Sequence, residues 1–259
     1  MEPQVEFDER PPIEMVAGIR FVPASGLRLF ALSGLVEKWE KLYPNVREVD
    51  PLLDWFEPGL PDPLHFTVGH PFRLWFLDES EQELVQLQAD RLLVNWRMLD
   101  GGAYPGYPHI KERLLERLDG VNEFLQLQQT NPVQVVGAEI SCINSVSVNG
   151  RSGGALERVL RPWQRDPLGQ LGMPDFATCT LAYSVAISCS DTPGQLVVEA
   201  KPNRTAAGHS TMSLSLTFRS VVKPAASIGT YLDEMHRHII SGFLGLTPEE
   251  LQQDWGRHR

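Results

Sequence analysis

Alternation of apolar and polar residues is clearest in the second half of the chain. From residue 177 to 189 the odd positions read Ala, Cys, Leu, Tyr, Val, Ile and Cys, while Thr, Ala and Ser fill the even ones. Between 210 and 219 the apolar set is Met212, Leu214, Leu216 and Phe218, and Leu196, Val198 and Ala200 fit a shorter strand between them. A period of two over such lengths predicts antiparallel sheet with one face on the core.

The first half adds a strand over residues 14–22, opened by Pro11-Pro12, and a meander built from 73–77, 84–88 and 92–97. Val85 and Leu87 are odd, whereas Leu92, Val94 and Trp96 are even. A single strand would then send apolar residues to both faces, so a tight turn or bulge is predicted at Ala89-Asp90. Residues 133–143 read as a further strand.

Helical spacing appears three times. Leu32, Leu35, Val36, Trp39, Leu42 and Tyr43 form one stripe, with Ser25 as a candidate cap and Pro44 as the stop. Ile110, Leu114, Leu118, Val121 and Leu125 form a second, with Pro108 in its first turn. Ile228, Leu232, Met235, Ile239 and Phe243 form the third, and Thr247-Pro248-Glu249-Glu250 reads as a capping box that opens a last short helix. Residues 44–70 are proline-rich and read as a long connection.

Runs of strands with helices between the runs predict an α+β fold, mainly antiparallel, with long helices packed on one face and two pseudo-related halves. The division expected is 1–149 for the first half, 150–175 for an irregular crossover and 176–259 for the second half, with one integrated domain as the alternative.

Composition narrows function mainly by exclusion. The 259 residues are 42% hydrophobic and 22% charged, ordinary for a globular chain. Three cysteines (Cys142, Cys179 and Cys189) with no C-x-x-C pair point to a reducing, cytoplasmic setting rather than a disulfide framework. The acidic N-terminus lacks signal-peptide character and no apolar run is long enough to span a bilayer. A net charge of −10 disfavours nucleic acid as a partner. The densest basic group, Arg151, Arg158, Arg161 and Arg165, reads either as a solvated surface or as an anion holder.

Catalytic and metal signatures are also missing. His236 and His238 would point about 160° apart on a helix and cannot share an ion. His65 and His70 sit in the proline-rich connection without a carboxylate pair. There is no G-x-S-x-G elbow, and Gly150 to Gly154 has neither a Walker lysine nor G-x-G-x-x-G order. Cys179 and Cys189 fall on an apolar strand face, where a thiol is usually inert. No metal and no cofactor is expected.

Two constellations remain as ligand-binding candidates. Arg91, Asn95 and Arg97 share one face of a strand while Trp96 takes the other, an arrangement that can clamp a carboxylate or amide or fix the meander by hydrogen bonds. The polar face of the second-half strands, with Thr178, Thr180, Ser184 and Ser188 on one and Thr211, Ser213, Ser215 and Thr217 on another, carries no charge. That pattern fits a covered or groove-lining face, or simply the β-propensity of threonine.

Several segments together resemble a sporadically distributed family of bacterial and archaeal proteins of about this length. They are Pro11-Pro12-Ile13 leading to Phe21, Arg73-Leu74-Trp75-Phe76, Gln86-Leu87-Gln88-Ala89-Asp90-Arg91 running into Asn95-Trp96-Arg97, Tyr104-Pro105-Gly106-Tyr107, and the terminal His236, Phe243, Leu246 and Trp255-Gly256. The resemblance covers nearly the whole chain and implies one co-evolving unit in a prokaryotic cytoplasm, without an activity, cofactor or catalytic residue.

The expectation is a non-enzymatic binding or regulatory protein that holds a protein or small-molecule partner, or a second copy of itself, on a sheet face or groove. The alternative is an enzyme whose site is assembled from Asp90, Arg91, Glu139 and His236.

Overall fold

The computed structural model describes residues 6–7, 12–52, 72–99, 102–147, 159–160, 180–188, 191–204, 210–222 and 227–258. Cys179, Cys189, His65, His70, Thr178, the four clustered arginines, the glycine run and all of the 150–175 crossover except two residues lie outside them.

A nine-stranded antiparallel sheet dominates, with a few helices. Its strands are β2 (Pro12–Phe21), β3 (Asn45–Val49), β4 (Arg73–Leu77), β5 (Glu83–Gln88), β6 (Arg91–Arg97), β7 (Val135–Ser147), β8 (Leu181–Ile187), β9 (Gly194–Arg204) and β10 (Ser210–Val221). They lie in the order β3-β4-β5-β6-β2-β7-β10-β9-β8. A separate two-stranded ribbon joins β1 (Glu6–Phe7) to β11 (Arg257–His258). Helices α1 (Ser33–Trp39), α2 (Tyr107–Leu127), α3 (Ile228–Leu246) and α4 (Glu249–Asp254) accompany the sheet.

Period-two patterning sends one set of side chains from every main strand to the same core. Met15, Ala17 and Ile19 of β2 sit opposite Trp96, Val94 and Leu92 of β6, and opposite Cys142, Ile140 and Ala138 of β7. Leu214, Leu216 and Phe218 of β10 continue that layer into Ala200, Val198 and Leu196 of β9. Ile110, Leu114 and Val121 of α2 and Leu232, Met235 and Ile239 of α3 close it. α2 lies over β6 and β2 while α3 lies over β10 and β7, so both cover the same face.

Aromatic contacts anchor α1 to this layer. Trp39 meets Phe76 edge-on at 4.9 Å and Tyr43 at 6.4 Å, and the Arg117 guanidinium lies over both Trp39 and Tyr43. Tyr43 donates a hydrogen bond to Glu83. Burial, reinforced by the Glu83 charge, holds its phenol far above the ordinary tyrosine range.

Several local expectations change. Residues 44–70 were expected to be a connection, yet β3 forms within them as a mostly exposed edge strand. Ser25 does not cap α1; a 3₁₀ turn at Leu29–Ala31 precedes a helix that starts only at Ser33, and Ser25 instead offers its carbonyl to Arg28. The capping box is not made either. Thr247 turns back to donate to the Phe243 carbonyl, and the Gln252 amide donates to Leu244, to the Thr247 carbonyl and to its hydroxyl. With Thr247 fully buried, this side-chain knot holds the α3–α4 corner.

Candidate functional site

Opposite parity places the remaining strand residues on the far face of the sheet, away from the helices. Glu14, Val16, Gly18 and Arg20 come from β2; Arg91, Leu93, Asn95 and Arg97 from β6; Gly137, Glu139 and Ser141 from β7; Thr217 and Arg219 from β10. Helices α2 and α3 both pack on the opposite face.

The first candidate trio divides. Asn95, 4% exposed, accepts from Gln86 Nε2 at 2.7 Å and donates to Glu14 at 2.6 Å, while Gln86 accepts from Arg73 Nε at 2.9 Å. The result is a polar chain, Arg73–Gln86–Asn95–Glu14, that crosses four strands and fixes their register. Arg97 donates to the Glu81 carbonyl and braces the β4–β5 turn. Arg91 alone enters a groove.

That groove has a volume of about 140 Å³ and is lined by Gly18, Ile19, Arg20, Leu52, Arg91, Leu93, Glu139 and Arg219. Gly18 makes room for Leu93, whose Cδ2 occupies the place a Cβ would take. Gln88 holds Leu52 at the rim, accepting from its N–H at 2.9 Å and donating to its carbonyl at 3.2 Å.

Three arginines from non-consecutive strands meet there. Arg91, 7% exposed, makes two hydrogen bonds to Asp90, with Nε at 3.0 Å and Nη2 at 2.7 Å. Arg219 Nε donates to its cross-strand neighbour Glu139 at 2.8 Å. Arg20 stands directly opposite Arg91 on the β2–β6 ladder. Nearby, burial and then the Arg91 charge lower the basicity of Arg73.

The second candidate strip also differs from its sequence outline. β9 lies between β8 and β10, so Ser184 is separated from Ser213 and Ser215 by a strand carrying Glu199 and Lys201, which pair at 3.2 Å. The hydroxyls of β10 instead adjoin those of β7. Ser141 and Thr217 share a hydrogen bond of 2.8 Å, and Ser145 faces Ser213. Ser184 accepts from Gln195, and Thr180 is exposed just before β8.

Of the four residues a dispersed active site would use, Arg91 and Glu139 line the groove, and Asp90 holds Arg91. His236 lies in the helix layer across the sheet, its ring stacked on Tyr107 at 3.8 Å. Burial outweighs the nearby Asp233 charge and holds its imidazole down at about 4, with Lys111 adding to the shift. Cys142 is buried, and desolvation pushes its thiol up to about 12, where it is a poor nucleophile. Among the described residues, no three His, Cys, Asp or Glu side chains gather as a metal site, and no helix is long and apolar enough to cross a membrane.

Arg20 and Arg219 escaped the sequence reading. Each looks like an ordinary strand-end charge, and only the order β6-β2-β7-β10 brings them together. No family model, curated protein or solved structure matches the chain.

Proposed function

We propose that this is a non-enzymatic binding or regulatory protein of a prokaryotic cytoplasm, and that its partner docks on the far face of the sheet. The observation that carries the reading is the division of labour between faces. The helix side holds the aliphatic core, while the far face concentrates a groove, arginines and a ladder of hydroxyls on β7 and β10. Hydroxyls and arginines offer a partner hydrogen bonds without a fixed requirement for one apolar shape.

The same reading extends to the architecture, as two halves built on one plan. In β2, β4, β5 and β6 the first strand pairs with the fourth, which pairs with the third, then the second, and a long helix follows. β7, β8, β9 and β10 repeat that order before α3. On this plan β7 opens the second half, and the two first strands pair with each other at the centre.

The test uses Ser213→Glu and Ser215→Lys, each placing its new charge beside an opposite one (Lys201 and Glu199 respectively) so that the sheet is not repelled. Protein recovered from its own cells is compared by mass spectrometry of what accompanies it. Loss of a specific companion from both folded variants is expected. If both fold and retain every companion of the wild type, the docking face is wrong.

A further inference from the structure

We infer that β8 is a self-association edge: it pairs antiparallel with β8 of a second copy of this chain, about a two-fold axis through Ser184, and joins two nine-stranded sheets into one. The inference does not depend on the far-face docking surface.

The two ends of the sheet differ in how they would receive another strand. β3 and β8 are its outermost strands. An open edge is a template for a second chain, and charges, proline or bulges guard most of them. β3 carries Arg47 and Glu48. Paired with itself about its middle residue, it would set Arg47 against Arg47, a destabilising like-charge contact. β8 has neither charge nor proline in Leu181–Ile187, and it runs along β9 without a register shift. Its outer edge is unguarded.

The same two-fold operation on β8 gives matched pairs. With Ser184 on the axis, Leu181 falls opposite Ile187, Ala182 opposite Ala186 and Tyr183 opposite Val185. An aromatic residue opposite a β-branched one is a favourable cross-strand pair, and a two-fold interface makes it twice. Charge points the same way. In a chain with a net charge of −10, an uncharged edge lets two copies approach without local repulsion.

Continuity of the core is the third argument. Leu181, Tyr183 and Val185 stand opposite Ala200, Val198 and Leu196 of β9, on the face where the core packs. Ala200 and Val198 are fully buried, whereas Val185, one strand further out, is 45% exposed. The apolar layer thus reaches the last strand and is left partly open there. Tyr183 of the second copy, directly opposite Val185, would cover it and carry the layer across the axis.

The experiment follows the mass of the full chain by sedimentation velocity over a concentration series, for the wild type, Ser184→Lys and Ser184→Glu. Ser184 is exposed, so neither new charge enters the core. The wild type is expected to dimerise as concentration rises. Each variant alone meets its own charge across the axis and should dimerise about tenfold more weakly, or worse. An equal mixture of the two variants sets opposite charges together and should restore dimers. A wild type that stays monomeric, a dimer indifferent to both substitutions, or a mixture that stays apart overturns the proposal. If the charged variants do not fold, Ser184→Cys replaces them in a Cys179→Ser/Cys189→Ser background. Opposed Cα atoms of antiparallel strands lie about 4.5–5.5 Å apart, within disulfide reach. Mild oxidation should then link Ser184→Cys chains and leave Ala182→Cys chains, which do not face their own copies, unlinked. Absence of linkage at 184, or equal linkage at both positions, overturns the register. The companions lost or kept by Ser213→Glu and Ser215→Lys test the far face alone, so the two readings fail separately.

Discussion

Arg20 and Arg91 face one another across the β2–β6 ladder, a like-charge pair at the edge of a groove in a chain whose net charge is −10. Arg91 also makes two hydrogen bonds to Asp90, so the register does not leave two bare cations opposed. Asp90→Asn weakens that pairing of a buried guanidinium and should lower the stability measured by urea denaturation by about 1–3 kcal/mol. A variant as stable as the wild type would show that Asp90 does not hold Arg91 in place.

Gly18 and Leu93 make a second measurable pair. Gly18→Ala forces Leu93 out of its rotamer, with an expected loss of about 1–3 kcal/mol by urea denaturation. Leu93 is nearly buried, so its own truncation also costs stability. The Gly18→Ala/Leu93→Ala double variant should nevertheless be more stable than the sum of the two single losses, because the second change removes the clash created by the first. Strict additivity would mean that the glycine is not packed against Leu93.

His236 sets part of the acid stability. Its folded pKa of about 4 lies below the unfolded value of 6.5, so between those values the unfolded chain binds the proton more readily. Stability therefore rises with pH across that window, and falls as pH drops through it, by about 1–3 kcal/mol for this one group. The ring faces Tyr107 in its stack, with Lys111 and Asp233 alongside in an ion pair of 2.7 Å. His236→Gln should flatten the wild-type slope between pH 4 and 6.5, measured as urea midpoints against pH. An unchanged slope would assign the acid limb to carboxylates alone.

Periodicity reveals the strands and says much less about what surrounds them. The phase change between Leu87 and Leu92 locates the two-residue turn at Ala89-Asp90, because Gln88 and Arg91 are indeed paired across it. The apolar sets of β10 and α3 likewise occupy the core. β3 escapes because Asn45, Val46, Arg47 and Glu48 are exposed, and an edge strand with little buried surface leaves no alternation to read. Val185 shows the converse: it continues a clean apolar pattern, but β8 is the other edge and leaves it 45% exposed.

The candidate site was less legible for a different reason. Arg91 and Glu139 drew attention by residue type, and the alternation around them gives their face. Their meeting depends on β2 lying between β6 and β7, a pairing of distant segments that no local pattern encodes. Thr247 makes the same point at the α3–α4 corner: the sequence suits a capping box, and tertiary packing diverts the hydroxyl to Phe243.

The central pairing of β2 with β7 also bears on how the chain is made. Ala17 lies opposite Ile140, so β2 waits for roughly 120 further residues before its second edge is covered, on the order of ten seconds of ribosomal synthesis. During that interval β6 can pair with one side of β2, while the other remains a bare strand edge beside the apolar Met15, Ala17 and Ile19. The nascent chain is thus most open to chaperones, and to association with neighbouring copies, in the period that ends when β7 leaves the exit tunnel.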